Sequence, residues 1–163
     1  MSGIERYRKL LVAETRATAL AFESIGTIPE ANRAGGDGAR ALGIMAHIQL
    51  ARRIWLERAE RLPTSPVPDW FPAWPLGQST ALAGELDRGW STFLDSIREP
   101  DLERPVPYSN TKGERFANTL DDILIHVFNH STYHRGQVAR LVADAGGVRA
   151  LTDYIGFFRT AHG

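Results

Sequence analysis

The sequence predicts an all-α protein: a four-helix bundle with a long crossover before the fourth helix and a short C-terminal helical segment. Three observations carry that expectation. Four segments of roughly 20 residues place apolar side chains three and four apart, the spacing of one helix face. Glycine or proline follows each of them and stops the helix. The stretch before the fourth segment is long and turn-rich, as a chain crossing a bundle must be. The 163 residues fit a single domain, 1–163, long enough to bury a core.

The first helix spans residues 4–25. Ile4, Tyr7, Leu11, Glu14, Thr18, Phe22 and Ile25 recur at helical spacing, and Tyr7, Leu10, Leu11, Leu20 and Phe22 are the expected core. Gly26 ends it, and PEANRAGGDGAR reads as a polar solvent loop. The second helix covers residues 38–61, with Asp37 as its N-cap and Pro63 as its stop. Its stripe is Leu42, Ile44, His47, Ile48, Ala51, Ile54, Trp55 and Leu62, which turns the His47 ring inward. Residues 63–77 hold five prolines, two tryptophans and a phenylalanine. A loop of this length either plugs an end of the bundle or, through Trp70, Phe71 or Trp74, shapes the mouth of a pocket.

The third helix, residues 79–98, starts at Ser79 or Thr80 and buries Leu82, Leu86, Trp90, Phe93, Leu94 and Ile97. RPVPYSNTKGERFANTL, which follows, is either a short β-hairpin or an extended crossover. The fourth helix, residues 119–145, is capped by Asn118 or Thr119, carries Asp121 and Asp122 in its first turn, and ends at Gly146 and Gly147. LTDYIGFFRT closes the chain, with Thr152 as its cap and Tyr154, Ile155, Phe157 and Phe158 facing the bundle.

Composition narrows the function classes. With 19 basic and 19 acidic residues the formal net charge is zero, which speaks against a nucleic-acid partner. There is no cysteine, so disulfides, thiolate metal ligands and a cysteine nucleophile are excluded. No apolar run approaches the ~20 residues that span a bilayer, and the charged opening lacks a signal peptide's apolar centre. The expectation is a soluble, cytoplasmic protein with no membrane partner.

The fourth helix carries the chemistry. His126, His130 and His134 stand at four-residue spacing, three of the five histidines. His130 and His134 replace aliphatic residues in the stripe Leu120, Ile123, Val127, His130, His134, Val138, Leu141, so both point into the bundle. Two inward imidazoles one turn apart can reach one transition-metal ion, as in the helical HExxH motif, although HSTYH lacks the glutamate base. Two turns of helix rise about 12 Å, too far for His126 and His134 to share an ion at ~2 Å from each nitrogen. The pair is then His126 with His130 or His130 with His134; the inward stripe favours the latter, and His126 becomes a packing residue or a support for the ligands. A third ligand must come from elsewhere. His162 lies one residue from the end of the sequence, whereas His47 is inward on a neighbouring helix. His47, His130 and His134 therefore form the expected metal site, and three neutral imidazoles suit zinc, nickel, iron or manganese.

LIHVFNHSTYHRGQVARLV, residues 124–142, closely follows the HxxNHxxYHRGQ pattern of the DinB/YfiT-like family of metal-binding helical bundles. MAHIQLARRIW (45–55), VPYSNTKGERF (106–116) and TDYIGFFR (152–159) also resemble family segments, whereas residues 63–77 show no family pattern. The resemblance implies a divalent metal on His47, His130 and His134. It gives His126 no ligand role and gives Asn129, Arg135 and Gln137 supporting ones. It also implies a small-molecule substrate or thiol and a homodimer. The activity it implies is that of a thiol S-transferase, in which the metal activates a low-molecular-weight thiol. A metal-dependent hydrolase and a non-catalytic metal-binding stress-response protein are the alternatives. No catalytic or cofactor-binding residue is assigned.

Overall fold

A computed structural model describes residues 1–161, so His162 lies outside the described residues. The helices in chain order are α1 (Gly3–Gly26), α2 (Glu30–Arg33), α3 (Gly36–Ala59), α4 (Leu76–Ser96), α5 (Leu120–Asp144) and α6 (Tyr154–Phe158). The four long ones, α1, α3, α4 and α5, make the bundle. The polar connection after α1 contains a helical turn, α2, that its glycines and polar residues did not advertise.

Helix ends follow local chemistry. Ser2 caps α1 in a reciprocal box with Glu5, and Thr119 caps α5 in the same way with Asp122. Three expected caps shift. Asp37 lies inside α3, which begins after Gly35, and pairs with Arg40 at 2.9 Å. Pro75, not Ser79 or Thr80, precedes α4, because proline's fixed φ and missing N–H suit a helix entrance. Asp153, not Thr152, precedes α6. α3 stops before Pro63 is reached: Arg61 takes a left-handed turn at φ 60°, and the Leu62 amide bonds back to the Glu57 carbonyl at 2.8 Å. That turn leaves Leu62, an expected stripe residue, exposed. α5 ends in the same motif, with Gly146 at φ 85°.

All seven α1 stripe residues are buried, Glu14 and Thr18 included. Leu10 and Leu20, expected in the core, are only half-buried. α3 is buried on most of its circumference, since α5, α4 and α1 all touch it. Arg52 and Asp87 pair across α3 and α4, and Leu56 lies against Gly89, so these two helices run parallel. Tyr7 reaches Asp121 and Glu14 reaches Arg135, so α1 and α5 are parallel too. The Trp/Pro-rich loop must therefore carry the chain back along the bundle between α3 and α4.

The crossover before α5 contains the hairpin: β1 (Pro105–Ser109) pairs antiparallel with β2 (Arg115–Thr119), Val106 facing Asn118. Val106 is fully buried and joins the apolar cluster that holds Trp90, Phe93, Leu94 and Leu124. α6 lies over α1, where Lys9 and Arg16 sit above the Phe158 and Phe157 rings at 4.5 and 5.2 Å. Tyr154 and Ile155, expected to face the bundle, are exposed.

The core has two apolar halves. One gathers Leu11, Leu56, Leu86, Trp90 and Val127. The other gathers Phe22, Ile25, Met45, Ile48 and Val138. Between them lies a polar waist of Glu14, Thr18, Gln49, Arg52, Ser131 and Arg135, all buried. The histidines sit at that level. Among the described residues no helix is long and apolar enough to cross a membrane.

Candidate metal centre

α3 and α5 run antiparallel, and His47 meets His130 and His134 where they face each other. One ring nitrogen from each of the three lies within 4.8 Å of the others, a group that can hold a metal ion. The Nε2 atoms of His47 and His130 are 3.1 Å apart. Two tetrahedral ligands at zinc–nitrogen distances would stand about 3.3 Å apart, so the spacing fits two donors around one ion.

Hydrogen bonds orient the donors. His47 Nδ1 is 3.1 Å from the Trp70 carbonyl, which only accepts, so the proton sits on Nδ1 and the Nε2 lone pair faces the group. His134 Nδ1 donates to Gln137 Oε1 at 3.1 Å, one helical turn on, with the same consequence. His130 then donates from Nε2 to His47, and to ligate an ion through that nitrogen it would carry its proton on Nδ1 instead. The donor set thus fits a divalent ion.

The electrostatics favour the form metals bind. Burial, then the neighbouring His134, His47 and His126, lowers the His130 pKa to about 3. Burial and His134 also lower that of His47, against the opposing Trp70 hydrogen bond. Both rings are neutral at pH 7 and keep their lone pairs.

His126 stands outside the group. Its ring tilts toward His130 at 5.5 Å and packs edge-on against Trp55 at 5.2 Å, and burial lowers its pKa. It joins an aromatic shelf in which Arg58 covers both Trp55 and Tyr108, at 4.6 and 4.9 Å. That shelf escaped the sequence, because it needs the hairpin folded against α3.

Of the two readings of the Trp/Pro-rich loop, the mouth-shaping one describes its position. Phe71 stacks on His47 at 4.5 Å with the planes 17° apart, and Trp70 meets the same ring edge-on at 5.7 Å. The loop is tied down where Ser65 bonds Glu57 through both its amide and its hydroxyl. The loop also lies against Gly43, where a Cβ would make an ordinary contact at 3.4 Å with the Phe71 carbonyl oxygen. Trp74 is not among the rings around His47. Two hollows of about 540 and 430 Å³ share a wall of Arg40 and Ile44, one bounded by Tyr133, Gln137 and Arg140, the other by Gly43 and Phe71. Phe71, which stacks on His47, and Gln137, which bonds His134, belong to their walls, whereas the three histidines do not.

Fold and site together define a helical bundle whose facing helices present a three-histidine group able to hold a metal. The chain belongs to the DinB family, whose family model matches residues 9–162. It is similar to Protein DinB of Bacillus subtilis (strain 168), with 35% identity over 69 residues, 42% of this chain. That match spans 39% of the relative's length.

Proposed function

We propose that the protein is a metal-dependent thiol S-transferase, with a divalent ion held by His47, His130 and His134. The observation that carries the reading is the convergence of three imidazoles whose outer nitrogens are engaged at His47 and His134. Three protein ligands are the number found at catalytic rather than structural centres, since positions remain for exogenous ligands. Zinc, nickel, iron or manganese suits such a donor set. Held there, the ion would lower the pKa of a low-molecular-weight thiol that ligates it and stabilise the thiolate.

The chain's own residues do the rest. Phe71 and Trp70 screen one side of His47 from water. In the transfer a carbon–sulfur bond forms, the carbon–leaving-group bond breaks, and the thiol proton passes to solvent through the half-exposed site. The reading takes the chain as one domain acting in the cytoplasm as a homodimer. Exposed Leu151 and Ile155 provide apolar surface for the second copy. Sedimentation at the mass of a single chain would exclude the dimer.

The test incubates metal-loaded protein with an electrophile and a panel of thiols: bacillithiol, mycothiol and glutathione. Metal-dependent conjugate formation, abolished in His134→Ala, is expected with at least one. No conjugate with any of them rejects the transferase. Metal-dependent ester hydrolysis without a thiol would instead favour the hydrolase, and neither activity a metal-binding stress protein.

A further inference from the structure

The polar waist holds a second cluster that the histidine chemistry does not use. Glu14 of α1 is 2% exposed and lies between two arginines that are also buried, Arg52 and Arg135. Its Oε2 accepts from Arg135 Nη1 at 2.7 Å, and its Oε1 stands 4.0 Å from Arg52 Nε. Thr18 donates to Oε1 at 3.3 Å. Arg52 is held further by Asp87 of α4 at 2.6 Å and Gln49 at 3.0 Å, and Arg135 by Thr132 at 3.2 Å. One buried carboxylate on α1 thus ties together the two helices that carry the histidines.

The sequence positions explain why this matters. Arg135 immediately follows His134, so the two side chains leave α5 about 100° apart. Arg52 lies five residues beyond His47 on α3, about 140° round. Each arginine is aimed at α1 while its helix turns a histidine toward the other helix. Were α5 to rotate by about 20°, its Cα atoms, ~2.3 Å from the axis, would shift by roughly 0.8 Å and the side-chain tips by more. Metal–ligand distances tolerate about 0.2 Å. Aliphatic contacts, being non-directional, permit such a rotation far more readily than a charged hydrogen bond does.

We propose that Glu14 is a positioning residue for the histidine group: by bonding Arg135 and drawing Arg52, it sets the rotation of α5 and α3 that makes His47, His130 and His134 converge. Glu14 touches neither the metal nor the substrate. The inference rests on the metal reading above. Neutralising its carboxylate frees Arg135 to turn, and α5 with it, and removes the pull on Arg52, which keeps Asp87 and Gln49.

The experiment measures Zn²⁺ affinity by competition with a chromophoric chelator, well below each variant's melting temperature. Wild type, Glu14→Gln and Leu11→Ala are compared. Leu11 is buried in the apolar half of the core one turn from Glu14 and carries no polar group, so its loss lowers stability while leaving every charge of the cluster with its partner. Glu14→Gln is expected to weaken Zn²⁺ binding 10- to 100-fold, the range for groups that orient metal ligands. Leu11→Ala should keep wild-type affinity despite its lower melting temperature. Should Glu14→Gln fail to fold, the double variant Glu14→Gln/Arg135→Met removes both buried charges and leaves neither unpaired, and the same loss is expected there. Wild-type affinity in Glu14→Gln, or in the double variant, overturns the proposal, as does an equal loss in Leu11→Ala. If the wild type itself binds no zinc, the metal reading fails instead.

Discussion

Gln137→Met isolates the part of the site that a single side chain controls. In the native protein Gln137 Oε1 accepts from His134 Nδ1 at 3.1 Å and so places the His134 lone pair on Nε2. An amide turned the other way would donate to Nδ1, move the proton to Nε2 and close that position to a metal. Methionine keeps the length of the side chain and removes the acceptor. One neutral hydrogen bond contributes about 0.5–1.5 kcal/mol. Releasing the ring to a second tautomer adds RT ln 2, about 0.4 kcal/mol. The expected loss is about 1–2 kcal/mol of metal-binding free energy, or roughly 5- to 30-fold in Kd. His47 offers no equivalent handle, because its acceptor is the Trp70 backbone. Titration with Co²⁺, followed by its visible absorption, reads Kd and the coordination geometry together. Unchanged affinity in Gln137→Met would refute the claim that this bond sets the tautomer.

Two further outcomes follow from the same geometry. The metal-free protein should lose stability as pH falls from about 6.5 toward about 3. Folding lowers the His130 pKa across that window, so the unfolded chain binds the extra proton, and melting curves of His130→Phe should show a shallower decline. Phe71→Ala removes the ring stacked on His47, a contact that contributes about 0.5–1.5 kcal/mol. It should speed metal release to a chelator by ~2- to 10-fold in stopped flow, and an unchanged rate would mean the loop does not screen the site.

The site was more legible in the sequence than its supports were. His130 and His134 interrupt an aliphatic stripe that is buried on both sides of them, and a helix has only one inward face. His47 could be read because it stands inward on a neighbouring helix, and its ring nitrogen lies within 4.8 Å of those of His130 and His134. Caps were read less well. Asp37 looked like a cap on composition, but Gly35 takes the extended backbone there and Asp37 serves Arg40. The position of the Trp/Pro-rich loop was hidden because irregular chain has no period, and only the parallel run of α3 and α4 requires it to return along the bundle. Glu14 stood in the apolar stripe of α1 as its one ionisable carboxyl. A charge at an inward position requires a buried counter-charge, but its partners, Arg52 and Arg135, lie far away in sequence and come together only in the fold.

The central claim is that His47, His130 and His134 hold one divalent ion and that His126 takes no part. Elemental analysis of purified wild type, His134→Ala and His126→Ala, each washed free of loosely bound ions, tests it most directly. About one ion per chain is expected in the wild type and in His126→Ala, and little or none in His134→Ala. A wild type that carries no more metal than His134→Ala, or a His126→Ala protein as empty as His134→Ala, would contradict it.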